Sequence, residues 1–236
     1  MKRLKHILIF LLLFISSGLG QDYTKEVEYS KLRKTFGLYF YSDELYSGLA
    51  FKLYENGQKQ SEGTLKNGSA HGLATTWYEN GQKQSEGTYK EGKLDGFWTT
   101  WWKNGKKSTE LTLINEKTHG LETTWYENGQ KESEKTFIDG LPYGLATTWY
   151  ENGQKSSEGN LKYVLFINEN IGGQDGLWTT WYENGQKSSE GNLKYGAQNG
   201  LSTIWYENGQ KKLEALYKDD KLISLKEWNE NGSVKE

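Results

Sequence analysis

One short unit, written again and again, limits what this chain can fold into. The nine residues "TTWYENGQK" occur at 75–83, 123–131, 147–155 and 179–187, and looser copies stand between them. Aligned on the first letter of "YENG", the units lie at Tyr54, Tyr78, Trp102, Tyr126, Tyr150, Tyr182, Tyr206 and Asn229. The interval is 24 residues, apart from one of 32 and a last one of 23. Copies that stay in phase over most of a chain predict a repeat architecture in which each unit contacts only its neighbours.

Each unit has the pattern of a β-hairpin. Leu73 to Glu79 is rich in Thr, Trp and Tyr, Asn80-Gly81 is a strong hairpin signal, and Gln82 to Lys90 returns as a more polar strand. All eight copies keep Asn-Gly, which predicts a type I′ turn with positive φ at both residues. A second turn, "KEGKLDG" at 90–96, ends in a glycine that returns at 48, 72, 96, 120, 144, 176 and 200. We assign these glycines to turn geometry.

The units together predict an all-β fold, an elongated antiparallel meander of about eight hairpin repeats of 24 residues. After the first 20 residues no segment keeps an apolar period of 3.6 residues, so we expect no long helix. We divide the chain into a leader at 1–20, an N-terminal capping segment at 21–47 and a repeat domain at 48–236. The long interval places an insertion at about 164–171, "VLFINENI".

Aromatic residues recur at two adjacent positions of the unit. If the Asn-Gly loop has two residues, the alternation of a strand puts Trp77 on one face with Leu73, Thr75 and Glu86, and puts Tyr78 on the other. The second face also holds the row Leu65, Tyr89, Leu113, Phe137, Leu161, Leu193 and Tyr217. A loop with an odd count would swap the faces of the second strand.

The aromatic rows are expected to be mainly structural, since stacked rings bury area in a thin sheet. Their exposed parts are also the candidate interaction surface. It consists of Trp77, Trp101, Trp125, Trp149, Trp181, Trp205, Tyr78, Tyr126, Tyr150, Tyr182 and Tyr206.

The first twenty residues have the layout of a secretory signal. Lys2, Arg3 and Lys5 precede the apolar run Ile7 to Ile15, and the small-residue stretch "SSGLG" follows. The run is about half the roughly 18 apolar residues that a membrane span needs. We therefore expect cleavage near Gly20 and a secreted, periplasmic or cell-surface protein. The chain has no cysteine, so no disulfide can form.

Charge and motifs argue against nucleic acid binding and against catalysis. Without the leader the chain has 26 basic and 31 acidic residues, a net charge of −5, and the charges are interspersed. His71 and His119 directly precede a turn glycine, which favours a turn role over metal binding. Rows of Glu, such as Glu86 and Glu158, lie near rows of Lys and are expected to form a solvated face. We predict no catalytic residue, no metal site and no cofactor.

The "W-Y-E-N-G-Q-K" unit with a downstream "G-K-x-x-G" resembles the MORN repeat variant found in bacterial proteins grouped as YwqK-family antitoxins. The resemblance extends over about 48–236. It implies a hairpin meander with a binding role. We predict a non-enzymatic protein-interaction scaffold, with an antitoxin or immunity protein that neutralises a toxin as the alternative and a carbohydrate-binding or hydrolytic protein as a remote one. A protein partner is favoured over a glycan or a lipid.

Overall fold

The computed structural model describes residues 25–165 and 170–235. The predicted signal segment and residues 166–169 of the predicted insertion lie outside the described residues. In these residues nearly all regular secondary structure is β-strand, with one 3₁₀ turn at Tyr29–Lys31. A main sheet has 17 strands and a small sheet has three.

The strands of the small sheet are β2 (Arg33–Thr35), β3 (Leu38–Tyr41) and β4 (Glu44–Leu45). The first half of the main sheet consists of β1 (Glu26–Glu28), β5 (Gly48–Leu53), β6 (Lys59–Lys66), β7 (Ser69–Trp77), β8 (Lys83–Lys90), β9 (Lys93–Trp101), β10 (Lys107–Ile114), β11 (Lys117–Thr118) and β12 (Gly120–Trp125). The second half consists of β13 (Lys131–Ile138), β14 (Leu141–Trp149), β15 (Lys155–Leu165), β16 (Asn170–Trp181), β17 (Lys187–Lys194), β18 (Ala197–Trp205), β19 (Lys211–Lys218) and β20 (Lys221–Glu227).

The main sheet follows the order of the chain. From β5 to β20 successive strands pair antiparallel, except that β11 and β12 both pair with β10 and not with each other. The exception is β1, which runs parallel to β5 with Val27 opposite Ala50. The predicted all-β hairpin meander is confirmed.

The Asn-Gly turns are not type I′, so that prediction is wrong. In all eight of them the glycine alone has positive φ, between 82° and 88°. In one unit Gly81 N donates to Tyr78 O at 2.9 Å and Tyr78 N donates to Gln82 O at 2.8 Å. This is a three-residue loop closed by a type I turn and a glycine bulge. Asn80 keeps a negative φ because its Oδ1 accepts a bond from Gln82 N at 3.1 Å.

The predicted faces are nevertheless confirmed. Thr76 pairs with Ser85, but Trp77 pairs with Lys83, so the second strand has one extra residue beside the turn. The odd loop and this bulge compensate each other, and Thr75 lies opposite Glu86 as the two-residue loop required. We call the side with Leu73, Thr75 and Trp77 the tryptophan face, and the side with Thr76 and Tyr78 the tyrosine face.

Type I′ geometry occurs at the opposite end of the hairpins. There both loop residues have positive φ, 48–52° for the first and 64–88° for the second. The loops are Asn67–Gly68, Glu91–Gly92, Asn115–Glu116, Asp139–Gly140, Tyr195–Gly196 and Asp219–Asp220. The glycines assigned to this turn do not lie in it: Gly96, for example, lies inside β9, where the register with β8 shifts. That assignment is also wrong, and these glycines serve the bulge.

A compact apolar cluster lies at the N-terminal end of the sheet. Val27, Tyr46, Ala50 and Leu65 are buried there, and Tyr29, Leu32, Tyr39 and Ala70 pack against them. Burial raises the pKa of Tyr29 to about 12. Tyr39 N donates to Gly68 O at 2.9 Å, and Gly68 N donates to Tyr46 O at 2.8 Å, so the small sheet holds the first type I′ turn. The role of residues 21–47 as a cap stays a prediction.

Candidate functional site

Lysine side chains join neighbouring units on the tryptophan face. Lys83 Nζ lies 5.5 Å from the ring centre of Trp101 in the next unit and forms an ion pair with Glu86 of its own strand. The same arrangement recurs in seven units, with ring distances of 5.5–5.9 Å. The pairs are Lys59–Trp77, Lys83–Trp101, Lys107–Trp125, Lys131–Trp149, Lys155–Trp181, Lys187–Trp205 and Lys211–Trp228. Each cation therefore contacts an aromatic ring and a carboxylate at once.

Threonine side chains are buried beneath these ion pairs. Six of them, one per unit, have only 6–8% exposure: Thr75, Thr99, Thr123, Thr147, Thr179 and Thr203. Thr147 Oγ1 donates to Glu158 Oε2 at 3.2 Å. The hydrogen bond from Lys155, together with its charge and the bond from Thr147, holds the pKa of Glu158 below its usual value against the opposing effect of burial. The glutamate row is thus bonded to its own sheet and is more than the solvated face that the sequence predicted.

A row of apolar side chains, which we call the leucine row, lies half-exposed on the tryptophan face. Its members are 45–55% exposed: Leu73, Phe97, Leu121, Leu145, Leu177 and Leu201. Each directly follows a bulge glycine, as in "GL" and "GF". Sequence reasoning missed this row as a site, although the recurring apolar residue after glycine was its signal.

The tyrosine face joins neighbouring units by hydrogen bonds to the backbone. Tyr78 Oη donates to Trp101 O of the next unit at 2.8 Å, and Trp102 Nε1 replaces the hydroxyl in the third unit. Seven such bonds of 2.6–2.9 Å are made by Tyr54, Tyr78, Trp102, Tyr126, Tyr150, Tyr182 and Tyr206. Beside them, turn asparagines donate to the next turn, as Asn80 Nδ2 does to Lys103 O at 2.8 Å. Seven junctions between units thus share one hydrogen-bonded ladder.

Hydroxyl groups line the middle of the tyrosine face. Eleven strands from β6 to β17 each place one Ser or Thr in register with the next: Ser61, Thr76, Ser85, Thr100, Thr109, Thr124, Ser133, Thr148, Ser157, Thr180 and Ser189. Neighbouring hydroxyls bond to each other, for instance Thr76 and Ser85 at 2.7 Å. The row was not predicted, because the strand register that aligns it depends on the bulges.

The structure separates the two halves of the predicted interaction surface. The tryptophans Trp77, Trp101, Trp125, Trp149, Trp181 and Trp205 lie on one face, and the tyrosines Tyr78, Tyr126, Tyr150, Tyr182 and Tyr206 lie on the other. Both rows are only partly exposed, and both contact the next unit. They cannot form one continuous surface, so each face is a separate candidate.

Histidine and carboxylate groups are dispersed along the sheet. His119 Nδ1 lies 3.8 Å from Asp139 Oδ1, and His71 lies two units away in β7. Among residues 25–165 and 170–235 no three metal-binding side chains come together. The same residues contain no helix long and apolar enough to cross a membrane.

The chain matches the MORN repeat variant family at 46–67, 70–91, 118–139, 142–163, 174–195 and 198–219. These six ranges of 22 residues cover more than half of the chain. The hairpin that contains Trp102 lies outside them, although it makes the same contacts to its neighbours. No curated protein matches this chain.

Proposed function

Because the chain belongs to the MORN repeat variant family, we propose that it is a non-enzymatic scaffold that binds a protein partner along its sheet. MORN repeats commonly act as protein or membrane interaction repeats. The distribution of polar groups supports the non-enzymatic part, since catalysis needs unlike groups that converge on one point. In this sheet equivalent groups recur at fixed spacing.

The leucine row is the observation that carries the proposal. Six large apolar side chains keep about half of their surface exposed at one repeat position. Since strands lie about 4.8 Å apart, members are spaced by about 9.6 Å and the row is about 48 Å long. An exposed apolar line of this length, bordered by charged rows, has the arrangement of a protein interface with an apolar centre and a polar rim.

The experiment measures how much crosslinked partner is captured by the unchanged chain, by a double variant of the leucine row and by a control variant. Leu121→Glu with Leu145→Glu places two charges in the leucine row, and Ile138→Glu places one at a half-exposed position beside a type I′ turn. We expect the double variant to lose the captured partner and the control to retain it, with unchanged circular dichroism for both. Equal capture by all three would overturn the proposal.

We further propose that the protein works outside the cytoplasm, in the periplasm, on the cell surface or in the medium. The basic residues, apolar run and small residues of 1–20 support this placement. N-terminal sequencing of extracytoplasmic protein should then begin near Gln21. Soluble cytoplasmic protein that still begins with Met1 would contradict it.

The alternative role is that of an antitoxin or immunity protein. The resemblance of the "WYENGQK" unit to repeats of YwqK-family antitoxins supports it. A toxin gene beside this one, and loss of toxicity on coexpression with the chain, would favour neutralisation over a general scaffold. Coexpression with no protection would remove this alternative and leave the scaffold intact.

A further inference from the structure

The tyrosine face carries fewer charged side chains than the tryptophan face. All seven Lys–Glu pairs of the repeat lie on the tryptophan face. The middle of the tyrosine face is instead made mainly of aromatic rings, hydroxyls and small residues. Glu122 and Lys135 are the exception in one unit, and Lys103 and Lys212 lie over the rings of Tyr78 and Tyr206. A ligand that lies along this face would therefore be mostly uncharged, because a buried charge without a partner is costly.

Depressions recur between successive aromatic side chains of this face. One of about 470 Å³ is lined by Tyr78 and Trp102, with Thr76, Ser85 and Ser108 at its floor. Two units further on, Tyr126 and the equivalent hydroxyl residues line another of about 380 Å³, together with Glu122, Glu132 and Lys135. The two depressions share the tyrosine and the four hydroxyl residues of the repeat and lie two periods apart.

The period selects the conformation of the ligand. Two strand spacings amount to about 9.6 Å. A polyproline II segment has three residues per turn and rises by about 9.3 Å per turn, so one of its edges keeps in step with the array. An α-helix repeats a heptad position about every 10.5 Å, so it loses register with the repeats of the sheet sooner. In an extended β-strand, residues three apart point to opposite sides, so they cannot all face the sheet.

Hydrogen bonding matches the same ligand. A polyproline II segment has no internal hydrogen bonds, so its carbonyl groups need outside donors. When Thr124 and Ser133 bond to each other at 2.9 Å, only one proton is used and the other hydroxyl still has one to donate. Aromatic walls with nearby donors are the features by which proteins recognise proline-rich segments.

We propose that the tyrosine face binds a proline-rich segment of a protein partner in the polyproline II conformation. Every third residue of the segment sits between successive members of the row that includes Tyr78, Trp102 and Tyr126. This inference rests on the proposed function as a protein-binding scaffold, because it names the class of protein bound. It concerns the face opposite to the leucine row.

The test measures fluorescence anisotropy of labelled peptides titrated with the purified chain. The probe is a peptide of about 15 residues with proline at every third position. Its control has the same composition in a scrambled order, with no two prolines three residues apart. We expect binding of the first peptide and at least about tenfold weaker binding of the second. Peptides with more triplets should bind more tightly, because they occupy more depressions.

Two matched double variants locate the site. Ser108→Lys with Ser156→Lys fills two depressions of the tyrosine face, and Leu121→Lys with Leu145→Lys alters the opposite face. The first pair should weaken binding about tenfold or more and the second less than about twofold. If the first pair misfolds, the comparison of the two peptides alone decides.

Three results would overturn the inference: no binding of the triplet peptide, equal binding of both peptides, or weakening by the leucine-row pair alone. Binding of a chito-oligosaccharide with no binding of the peptide would assign the face to glycans instead. The proposed scaffold function survives these failures if partner capture still depends on the leucine row. If the peptide binds but capture of the partner is unchanged in the leucine-row variant, the proposal for the leucine row fails and the proposal for the tyrosine face stands.

Discussion

The tryptophan face and the tyrosine face join the same neighbouring units by different chemistry. On the first, Lys side chains reach the ring of the next unit and a glutamate of their own strand, and about half of each lysine stays exposed. On the second, tyrosine hydroxyls donate to the backbone of the next unit. Exposed ion pairs contribute little and are screened by salt, whereas a partly buried hydrogen bond is screened much less. The tyrosine face should therefore contribute most of the stability of the junctions between units, and the tryptophan face should make a smaller, salt-dependent contribution.

The largest effect should come from packing on the tyrosine face. A Cβ added at Gly159 would overlap the ring of Trp178, whereas a Cβ at the equivalent Gly191 would lie 3.1 Å from Ser202 Oγ. Gly159→Ala should lower the free energy of unfolding by about 2 kcal/mol, because the ring must move. Gly191→Ala should cost clearly less, because the Ser202 side chain needs to move by only a few tenths of an ångström. Urea unfolding of both variants measures the difference, and equal losses would show that Trp178 is not packed on this face.

The ladder of hydrogen bonds from the tyrosines to the backbone of the next unit should give the next largest effect. Tyr126→Phe removes the bond of 2.8 Å to Trp149 O and keeps the ring. We expect a loss of about 1 kcal/mol in the free energy of unfolding. Tyr143→Phe is the control, since Tyr143 is 51% exposed. If both substitutions are neutral, the ladder does not distinguish the two faces.

Loss of one lysine from the tryptophan face should matter less. Lys131 Nζ lies 5.6 Å from the ring centre of Trp149 and 2.5 Å from Glu134 Oε1, and its side chain is 47% exposed. Lys131→Met should cost about 0.5 kcal/mol at low salt and less at 1 M salt, where the Debye length is about 3 Å. The exposed Lys90→Met serves as the control. A salt-independent loss would mean that packing of the lysine stem, and not its charge, is what counts.

The smallest effect should be the pH dependence of the glutamate row. The folded-state pKa of Glu158 lies below its usual value, which is about 4.3 for a free glutamate. Its contribution to stability is therefore complete above that pH and is lost as the pH falls through the lowered pKa. Glu158→Gln should flatten the pH dependence of the urea midpoint below about pH 5. An identical profile for the variant would contradict a stabilising role for this carboxylate.

The fold could be predicted from the repeat spacing, and both faces from the alternation of residues along the strands. The repeat gave the meander, and alternation placed Thr75 with Glu86 correctly even though the loop length was wrong, since the bulge at Trp77 restored the parity. The turn type was missed for a physical reason. Asn-Gly favours positive φ at both residues, but the asparagine side chain here bonds to the backbone two residues on, and that bond stabilises a different turn.

Other features lay beyond sequence reasoning because they depend on distances between units. The contact of Lys83 with Trp101, and not with a ring of its own unit, requires the lateral offset of neighbouring strands. Type I′ loops such as Tyr195–Gly196 and Asp219–Asp220 share no common dipeptide. Their geometry is supported by the previous unit, whose carbonyl accepts a bond, as Gln198 O does from Asp220 N at 3.0 Å.

Deletion of one complete period tests most directly the central claim that the units are interchangeable and joined only to their neighbours. Removal of Tyr126 to Trp149, 24 residues, places Tyr150 after Trp125 and keeps every register. The account predicts a cooperative β-sheet protein whose urea m value falls by roughly one eighth. Removal of Tyr126 to Phe137, 12 residues, breaks a hairpin and should prevent folding. Loss of cooperative unfolding in the 24-residue deletion, or normal folding of the 12-residue deletion, would contradict the claim.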